Sequence, residues 1–297
     1  MEKRNERPLG VLERLALIAI PAHCDEMHDM PGAGSLVLGN WLYNVAPRDG
    51  TVLGTIGRGV AFDPLLGSTK AQFDASRFNW VGSMNDEVSV CVAWHTSGIT
   101  SLEEVKHREL TVGGSGPVAD TDQFPKVLND TIRTRFKIIT GYPGGNDIDL
   151  AMERGEVMGR CGWSWSSVVA THKHWLDDRK ISVLVQLPLS KHPDLASVPL
   201  IMDFARNEEE KQIFKLVFAR QPMGRPFVAP PGMPSERAAA LRKAFDQTMR
   251  DAGFLAEARK LALEINPVSG EAIQAIVAQA YQTPKAIADK VANMVNR

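Results

Sequence analysis

Short apolar runs rich in β-branched residues alternate with helical patterns through the middle of the chain. Leu110–Val112, Phe136–Thr140 and Val157–Cys161 have the length and composition of buried strands, and glycine-rich loops and helical segments separate them. Strands and helices that alternate over such distances are typical of βαβ units with parallel strands. We therefore expect an α/β fold organised around residues 110–162.

Strand patterns also flank this block, and the C-terminal quarter has the helical period. The additional predicted strands are 51–56, 79–84, 87–94, 181–187 and 225–229. Ser101 and Glu104 have the spacing of a capping box, which predicts a helix start. From Ser235 onward the apolar period is 3.6, with predicted helices at 238–250, 254–263 and 269–295 and a break at Pro284.

Composition limits the classes of function. The length of 297 residues suggests two domains of ordinary size, and a formal net charge of −1 gives no electrostatic basis for binding nucleic acid or anionic membrane. No apolar run is long enough to span a bilayer. The three cysteines, Cys24, Cys91 and Cys161, lie far apart, so neither a disulfide framework nor a C-x-x-C pair is predicted.

Two glycine loops follow predicted strands. They are 113–116 and 141–145, and ligands of open parallel sheets lie at the carboxyl ends of strands, where both loops belong. Glycine permits close backbone approach, and amides at a helix start favour an anion. Neither loop has a nucleotide-binding motif. Two interpretations stay open: loops around a small anion, or tight turns only. Arg58, between Gly57 and Gly59, is either solvated or binds a carboxylate.

Catalytic and metal-binding patterns are weak. His172 and His174 should diverge on a helix, so no metal site is predicted. Residues 162–166 approach a nucleophile elbow but end in serine, and Ser164 as a helix cap is the favoured interpretation. Cys161 has no histidine close in sequence, so a buried thiol is expected. We predict a binding protein with no cofactor and no enzymatic activity; a hydrolase using Ser164 or Cys161 is the alternative.

Six segments between about Met30 and Tyr281 occur in an order known from one family. In chain order they are Pro31–Gly34 with Ala46–Leu53, Val112–Gly116, Gly141–Gly145, Arg154–Val157, His192–Pro199 and Val228–Pro234. They resemble the PGAGG…A.PDGYTLL, YGSSG, VPYKG, GGQVD, P.LPDVPT and LLAPAGTP segments of the tripartite tricarboxylate transporter receptors. These are the Bug-type periplasmic substrate-binding proteins.

The resemblance implies a type II periplasmic-binding-protein fold of two lobes that close like a Venus flytrap. One lobe would comprise residues 1–96 plus 221–297 and the other residues 97–220, with hinge segments near Val90–Trp94 and Arg225–Ala229. The implied function is a periplasmic receptor that captures a small carboxylate and delivers it to the permease subunits of a tripartite transporter. An intracellular ligand sensor with the same fold is a further alternative, although no helix-turn-helix is evident.

The resemblance also implies binding residues, which lie in the loops after the predicted strands and are transferred from the matching segments of the family. The candidates are Gly57, Arg58, Ser115, Gly116, Tyr142 and Gly144, with Gly162 and Trp163 as weaker ones.

The N-terminus departs from the family pattern. Such receptors begin with an export signal, a strand and a "PGG..D" loop, and the residues before Met30 show none of these. The apolar stretch from Leu9 to Ala22 is interrupted by Glu13 and Arg14, which favours a short amphipathic helix over an export signal. We expect that the residues before Met30 are not the native beginning of the protein.

Overall fold

The computed structural model of the protein describes residues 28, 30, 35–261 and 263–296. The predicted loop 31–34 and the expectations about the first 27 residues lie outside this part of the chain. The described strands are β1 Gly54–Thr55, β2 Asn79–Ser83, β3 Ser89–Trp94, β4 Leu110–Gly114, β5 Phe136–Thr140, β6 Gly159–Ser164, β7 Ile181–Gln186, β8 Pro226–Ala229 and β9 Val268–Ser269.

The described residues form eleven α-helices, and those after Pro234 lie where the 3.6-residue pattern predicts them. They are α1 Leu36–Asn44, α2 Leu102–His107, α3 Asp120–Ile132, α4 Gly145–Glu153, α5 Trp165–Thr171, α6 Lys173–Asp177, α7 Glu208–Phe218, α8 Ser235–Thr248, α9 Ala252–Lys260, α10 Gly270–Tyr281 and α11 Lys285–Val295. The capping box is confirmed, because the Ser101 hydroxyl accepts from Glu104 N–H and the Glu104 carboxylate accepts from Ser101 N–H. The break at Pro284 is also confirmed, since α11 begins directly after it.

The first sheet is antiparallel and has the strand order β1-β8-β2-β9. Helices α8 and α10 pack on β2, and Gly82 leaves the space that the Phe245 ring of α8 occupies. The predicted strand 51–56 is reduced to the two residues of β1. Its first residue is held in a turn instead, because Thr51 donates through both N–H and Oγ1 to the Asp49 carboxylate.

The second sheet contains the predicted βαβ unit. β4 and β5 are parallel, with Leu110 opposite Phe136, and α3 connects them. The antiparallel strands β6-β3-β7 form a separate three-stranded sheet beside this pair, and we call the two together the second sheet. Met158 N–H donates to Thr111 O at 2.9 Å, which brings β4 beside the start of β6. The carboxyl ends of β4 and β5 therefore lie at one edge, as the pattern predicted. The two sheets with their helices form the two-lobed α/β fold that was expected.

The chain passes between the two sheets twice, at 84–88 and 220–225. Backbone hydrogen bonds tie these segments together: Glu87 N–H donates to Gln221 O, and Met84 N–H donates to Arg225 O. Both crossings lie a few residues before the predicted ones. Residues 90–94 are paired on both edges inside β3, and residues 226–229 belong to β8.

The C-terminal helix belongs to the first predicted lobe but packs on helices of the second. α11 packs against α3 and α7, and the Lys290 ammonium lies 2.6 Å from a Glu209 carboxylate oxygen. Tyr281, at the end of α10, donates its hydroxyl to Ala61 O in the first lobe. The lobe boundaries at 96 and 220 therefore stay a prediction.

One expectation about the cysteines is wrong. Cys91 and Cys161 form a disulfide between β3 and β6, and both residues are fully buried. A separation of 70 residues gives no sign of this pairing in the sequence. The two cysteines are partners only because the fold places β3 and β6 side by side in antiparallel register. Cys161 is therefore not the buried free thiol that was expected.

Helices long and apolar enough to cross a membrane are absent from the part of the chain that the structure describes.

Candidate functional site

An ion pair joins two of the predicted binding loops. Arg58 lies in the loop after β1, and Asp120 is the first residue of α3, which follows the glycine loop after β4. Arg58 Nε donates to Asp120 Oδ2 at 2.6 Å. The contact connects a loop of the first sheet with a helix of the second.

Arg58 is held by three partners. In addition to Asp120, its Nη1 donates to Gln221 Oε1 at 3.2 Å and its Nη2 to Ser89 Oγ at 2.8 Å. Ser89 begins β3 and Gln221 lies in the second crossing segment. The Arg58 side chain is only 10% exposed. We call Arg58, Ser89, Asp120, Arg220 and Gln221 the arginine site.

Arg220 is the second cation of this site, and no motif marks it in the sequence. It is fully buried, and its Nη1 donates to Asp120 Oδ1 at 3.3 Å and to Gln123 Oε1 at 2.9 Å. Its guanidinium lies over the Phe62 and Phe124 rings, at 5.3 and 5.6 Å from their centroids. Burial lowers the pKa of Arg220, and the negative charges of Asp120 and Asp63 oppose that shift.

Gly59 makes room for this guanidinium. A Cβ at position 59 would lie 2.8 Å from Arg220 Nη1, so a larger residue would push the buried side chain away. The glycine that follows Arg58 therefore has a packing role in the site.

Asp63 is a buried carboxyl close to the same charges. Burial raises its pKa to about 6, even though the positive charge of Arg220 lowers it; the negative charge of Asp120 adds to the rise. The side chain therefore titrates just below neutral pH. The arginine site thus has a pH-sensitive neighbour that no motif indicated.

The amides of the first glycine loop are bonded inside the protein. Ser115 N–H donates to Thr121 Oγ1 at 3.0 Å, and Gly116 N–H donates to Asp122 Oδ2 at 3.0 Å. The Asp122 carboxylate, in the first turn of α3, thus occupies the kind of anion position that was predicted for a ligand. Gly116 has φ +137°, and a Cβ there would meet open space, so the outer side of the loop is accessible.

The second glycine loop lies directly beside the first. Gly141 N–H and Tyr142 N–H both donate to Gly114 O, at 3.0 and 3.1 Å. Gly144 precedes α4 and accepts a hydrogen bond from Ile148 N–H. The Tyr142 side chain is partly buried, and its pKa is raised by burial and by the charge of Glu156. The structure therefore brings together Ser115, Gly116, Tyr142 and Gly144.

Gly162 and Trp163 differ in their surroundings. Gly162 has φ +74°, and a Cβ there would lie 2.7 Å from the backbone of Asp120, so the glycine lets β6 approach the start of α3. The Trp163 side chain is 2% exposed and packs under the Arg160 guanidinium, at 4.6 Å from the ring centroid. Trp163 belongs to the core behind the loops.

The alternative chemistry finds little support in the described residues. Cys161 is bonded to Cys91 and offers no free thiol as a nucleophile. Ser164 precedes α5 as expected, but its side chain makes no capping hydrogen bond. The expectation that His172 and His174 diverge is wrong. α5 ends before His172, and the two rings stack with centroids 6.1 Å apart.

The described residues contain no group of three or more His, Cys, Asp or Glu that could hold a metal ion. A mainly apolar cavity of about 530 Å³ lies between α7, α10 and Pro284, and neither glycine loop contributes to its lining.

Comparison with solved structures shows what the chain is similar to. It superposes on the periplasmic binding protein BugD with a TM-score of 0.64 and 18% identity, over 88% of this chain and 84% of that one. MatC from Rhodopseudomonas palustris, with bound malate, gives a TM-score of 0.63 and 17% identity over 90% and 87%. A TctC solute-binding protein from Polaromonas gives 0.62 and 16% over 88% and 85%.

At these identities the comparisons establish the fold. They confirm the two-lobed α/β fold that the motif resemblance implied, and two of the similar structures are a TctC solute-binding protein and the periplasmic binding protein BugD. No protein-family model matches the sequence, and no curated protein matches it significantly.

Proposed function

We propose that this protein is a solute-binding receptor that captures a small carboxylate at the arginine site and passes it to the permease subunits of a tripartite transporter. The fold supports this proposal, because the similar structures are solute-binding proteins and one of them contains malate. Two lobes with the predicted boundaries, 1–96 plus 221–297 and 97–220, would close over the ligand.

The arginine site carries the proposal. It joins Arg58 of the first sheet, Asp120 of the second and Arg220 of the crossing segment, at the point where the predicted loops meet. Among the described residues, the buried Arg220 Nε and Gln221 Nε2 donors form no hydrogen bond. Buried polar groups normally have partners, so these donors favour a polar ligand at this point.

The ligand would contact the outer side of both glycine loops. We propose contacts from Gly57, Arg58, Ser115, Gly116, Tyr142 and Gly144. Gly162 would contribute by letting β6 pack closely against the start of α3. Gly116 and Gly141 both have positive φ and open space where a Cβ would be, so an approaching ligand meets backbone there. Trp163 is left out of this set, because its side chain is buried in the core.

The Cys91–Cys161 disulfide supports a periplasmic location. Disulfides persist in oxidising compartments such as the bacterial periplasm and are rare in the reducing cytosol. The proposed location agrees with the motif resemblance and with the periplasmic origin of BugD.

Calorimetric titration tests the proposal. Purified protein should bind at least one member of a series of C4–C6 mono- and dicarboxylates at a single site. Arg58→Gln should weaken that binding at least tenfold, because a charge-assisted hydrogen bond to the ligand is lost. Arg250→Gln, at an exposed arginine outside the site, is the matched control and should leave the affinity unchanged. Equal affinities of the two variants would contradict the proposed site.

A further inference from the structure

We infer that Asp120 is a specificity-determining residue that restricts the ligand to one negative charge at the arginine site, so that a monocarboxylate is preferred to a dicarboxylate. This inference rests on the proposed function and names the ligand class within it. The charges around Arg58 are already paired within the protein.

Both cations of the site share a carboxylate that belongs to the protein. Asp120 Oδ2 accepts from Arg58 Nε at 2.6 Å, and Asp120 Oδ1 accepts from Arg220 Nη1 at 3.3 Å. The side chains of Arg58, Asp120 and Arg220 are 10%, 14% and 1% exposed. Water therefore screens these charges poorly, and Asp120 neutralises a large part of the positive field that a ligand would meet.

The neighbouring anion position is filled as well. The Asp122 carboxylate accepts from Gly116 N–H and is 2% exposed. Asp63 is also buried close to Arg220 and Asp120. Arg58 and Arg220 thus have Asp120 and Asp63 close to them, and Asp122 lies in the same first turn of α3 as Asp120. The site therefore has no surplus of positive charge at neutral pH.

Donors for one ligand carboxylate remain in the site. The guanidinium of Arg58 has five N–H donors, of which three serve the protein contacts, and Gln221 Nε2 forms no hydrogen bond among the described residues. A second ligand carboxylate would lie in the field of Asp120 and Asp122 without a cation of its own. Like charges held this close oppose binding, which is how a site rejects the wrong partner.

The experiment uses pairs of ligands that differ by one charge and have nearly the same shape. They are succinate and succinamate, glutarate and glutaramate, and adipate and adipamate, titrated by calorimetry into the full-length protein at pH 7.5. For the pairs that bind, the wild type should prefer the monoamide at least tenfold. Asp120→Asn should reverse the preference to at least tenfold in favour of the diacid. Asp178→Asn, at an exposed aspartate, should keep the wild-type ratio.

A second variant covers the case in which Asp120→Asn does not fold. Arg58→Gln removes a positive charge from the same pair, so it should increase the preference for the monoamide. Circular dichroism and the thermal midpoint establish that each variant is folded.

The outcomes separate the two proposals. A wild type that prefers the diacids, or a ratio that Asp120→Asn leaves unchanged, would overturn the inference and leave the receptor function standing. Failure of every acid and amide to bind the wild type and the folded variants would overturn the proposed function, and the inference with it.

Discussion

Arg58 and Asp120 are 62 positions apart, yet Arg58 Nε donates to Asp120 Oδ2 at 2.6 Å with both side chains largely removed from solvent. The pair connects the first sheet with the first turn of α3, and Arg220 approaches the same carboxylate from the crossing segment. Asp120 therefore links three parts of the chain through side-chain contacts: the loop after β1, the start of α3 and the second crossing segment.

Asp120→Ala should destabilise the protein strongly. Removal of one partner from a buried ion pair leaves charges without compensation, here on Arg58 and Arg220, and typically costs roughly 3–5 kcal/mol. Urea denaturation measures the change in the free energy of unfolding. The exposed pair Lys285–Asp289 is the control, and Asp289→Ala should cost less than about 1 kcal/mol. Equal changes in the free energy of unfolding for the two substitutions would show that the Arg58–Asp120 pair contributes no more to stability than an exposed ion pair does.

Asp63 should make stability depend on pH. Its pKa is raised from 3.8 to about 6, so the folded protein holds this proton more tightly than the unfolded chain does. The stabilisation is fully present below pH 3.8, is lost as the pH rises to about 6, and amounts to about 3 kcal/mol. Asp63→Asn should therefore gain stability relative to the wild type between pH 4 and pH 7 in urea denaturation. If the difference in the free energy of unfolding between the two proteins stays constant over this pH range, the raised pKa of Asp63 is contradicted.

The Cys91–Cys161 disulfide should be detectable and stabilising. Peptide mapping by mass spectrometry without reductant should recover the linked peptides. Because the bond closes a loop of 70 residues, its loss should reduce the free energy of unfolding by about 4 kcal/mol on the chain-entropy estimate. The double variant Cys91→Ala with Cys161→Ala measures that loss. Free thiols at both positions in periplasmically expressed protein would contradict the pairing.

Gly116→Val should abolish binding of the cognate carboxylate while the protein stays folded. Gly116 has φ +137° and faces open space at the glycine loop, so a side chain there blocks backbone approach and strains the turn. Gly67→Val is the matched control, because Gly67 also has positive φ (+78°) and a Cβ at that position would meet no atom within 4 Å. Both variants should lose similar thermal stability, and only Gly116→Val should lose affinity in calorimetry.

Features encoded by neighbouring residues were predictable from the sequence. The capping box at Ser101, the break at Pro284 and the parallel β4–β5 pair all follow from local patterns, and the fold confirms them. The proximity of the two glycine loops followed from the same patterns, because parallel neighbouring strands end at one edge.

The charge arrangement of the site was not predictable in this way. Arg220, Asp120 and Asp63 come from separate elements, and none has a motif that marks it. The occupation of the Gly116 amide by Asp122 depends on how α3 turns back onto the loop before it. The disulfide likewise depends on the pairing of β3 with β6. These contacts form only when distant segments of the chain pack together, so the local patterns of a single sequence do not reveal them.

Hydrogen exchange with and without ligand tests the central claim most directly. The probe is the acid or monoamide of the C4–C6 series that binds most tightly, added at saturation. We predict slower amide exchange at 57–60, 114–121 and 141–145, and unchanged exchange in α8, which packs on β2 of the first sheet. Protection confined to the apolar cavity between α7 and α10, with no change at the three loops, would contradict a carboxylate site at Arg58 and Asp120.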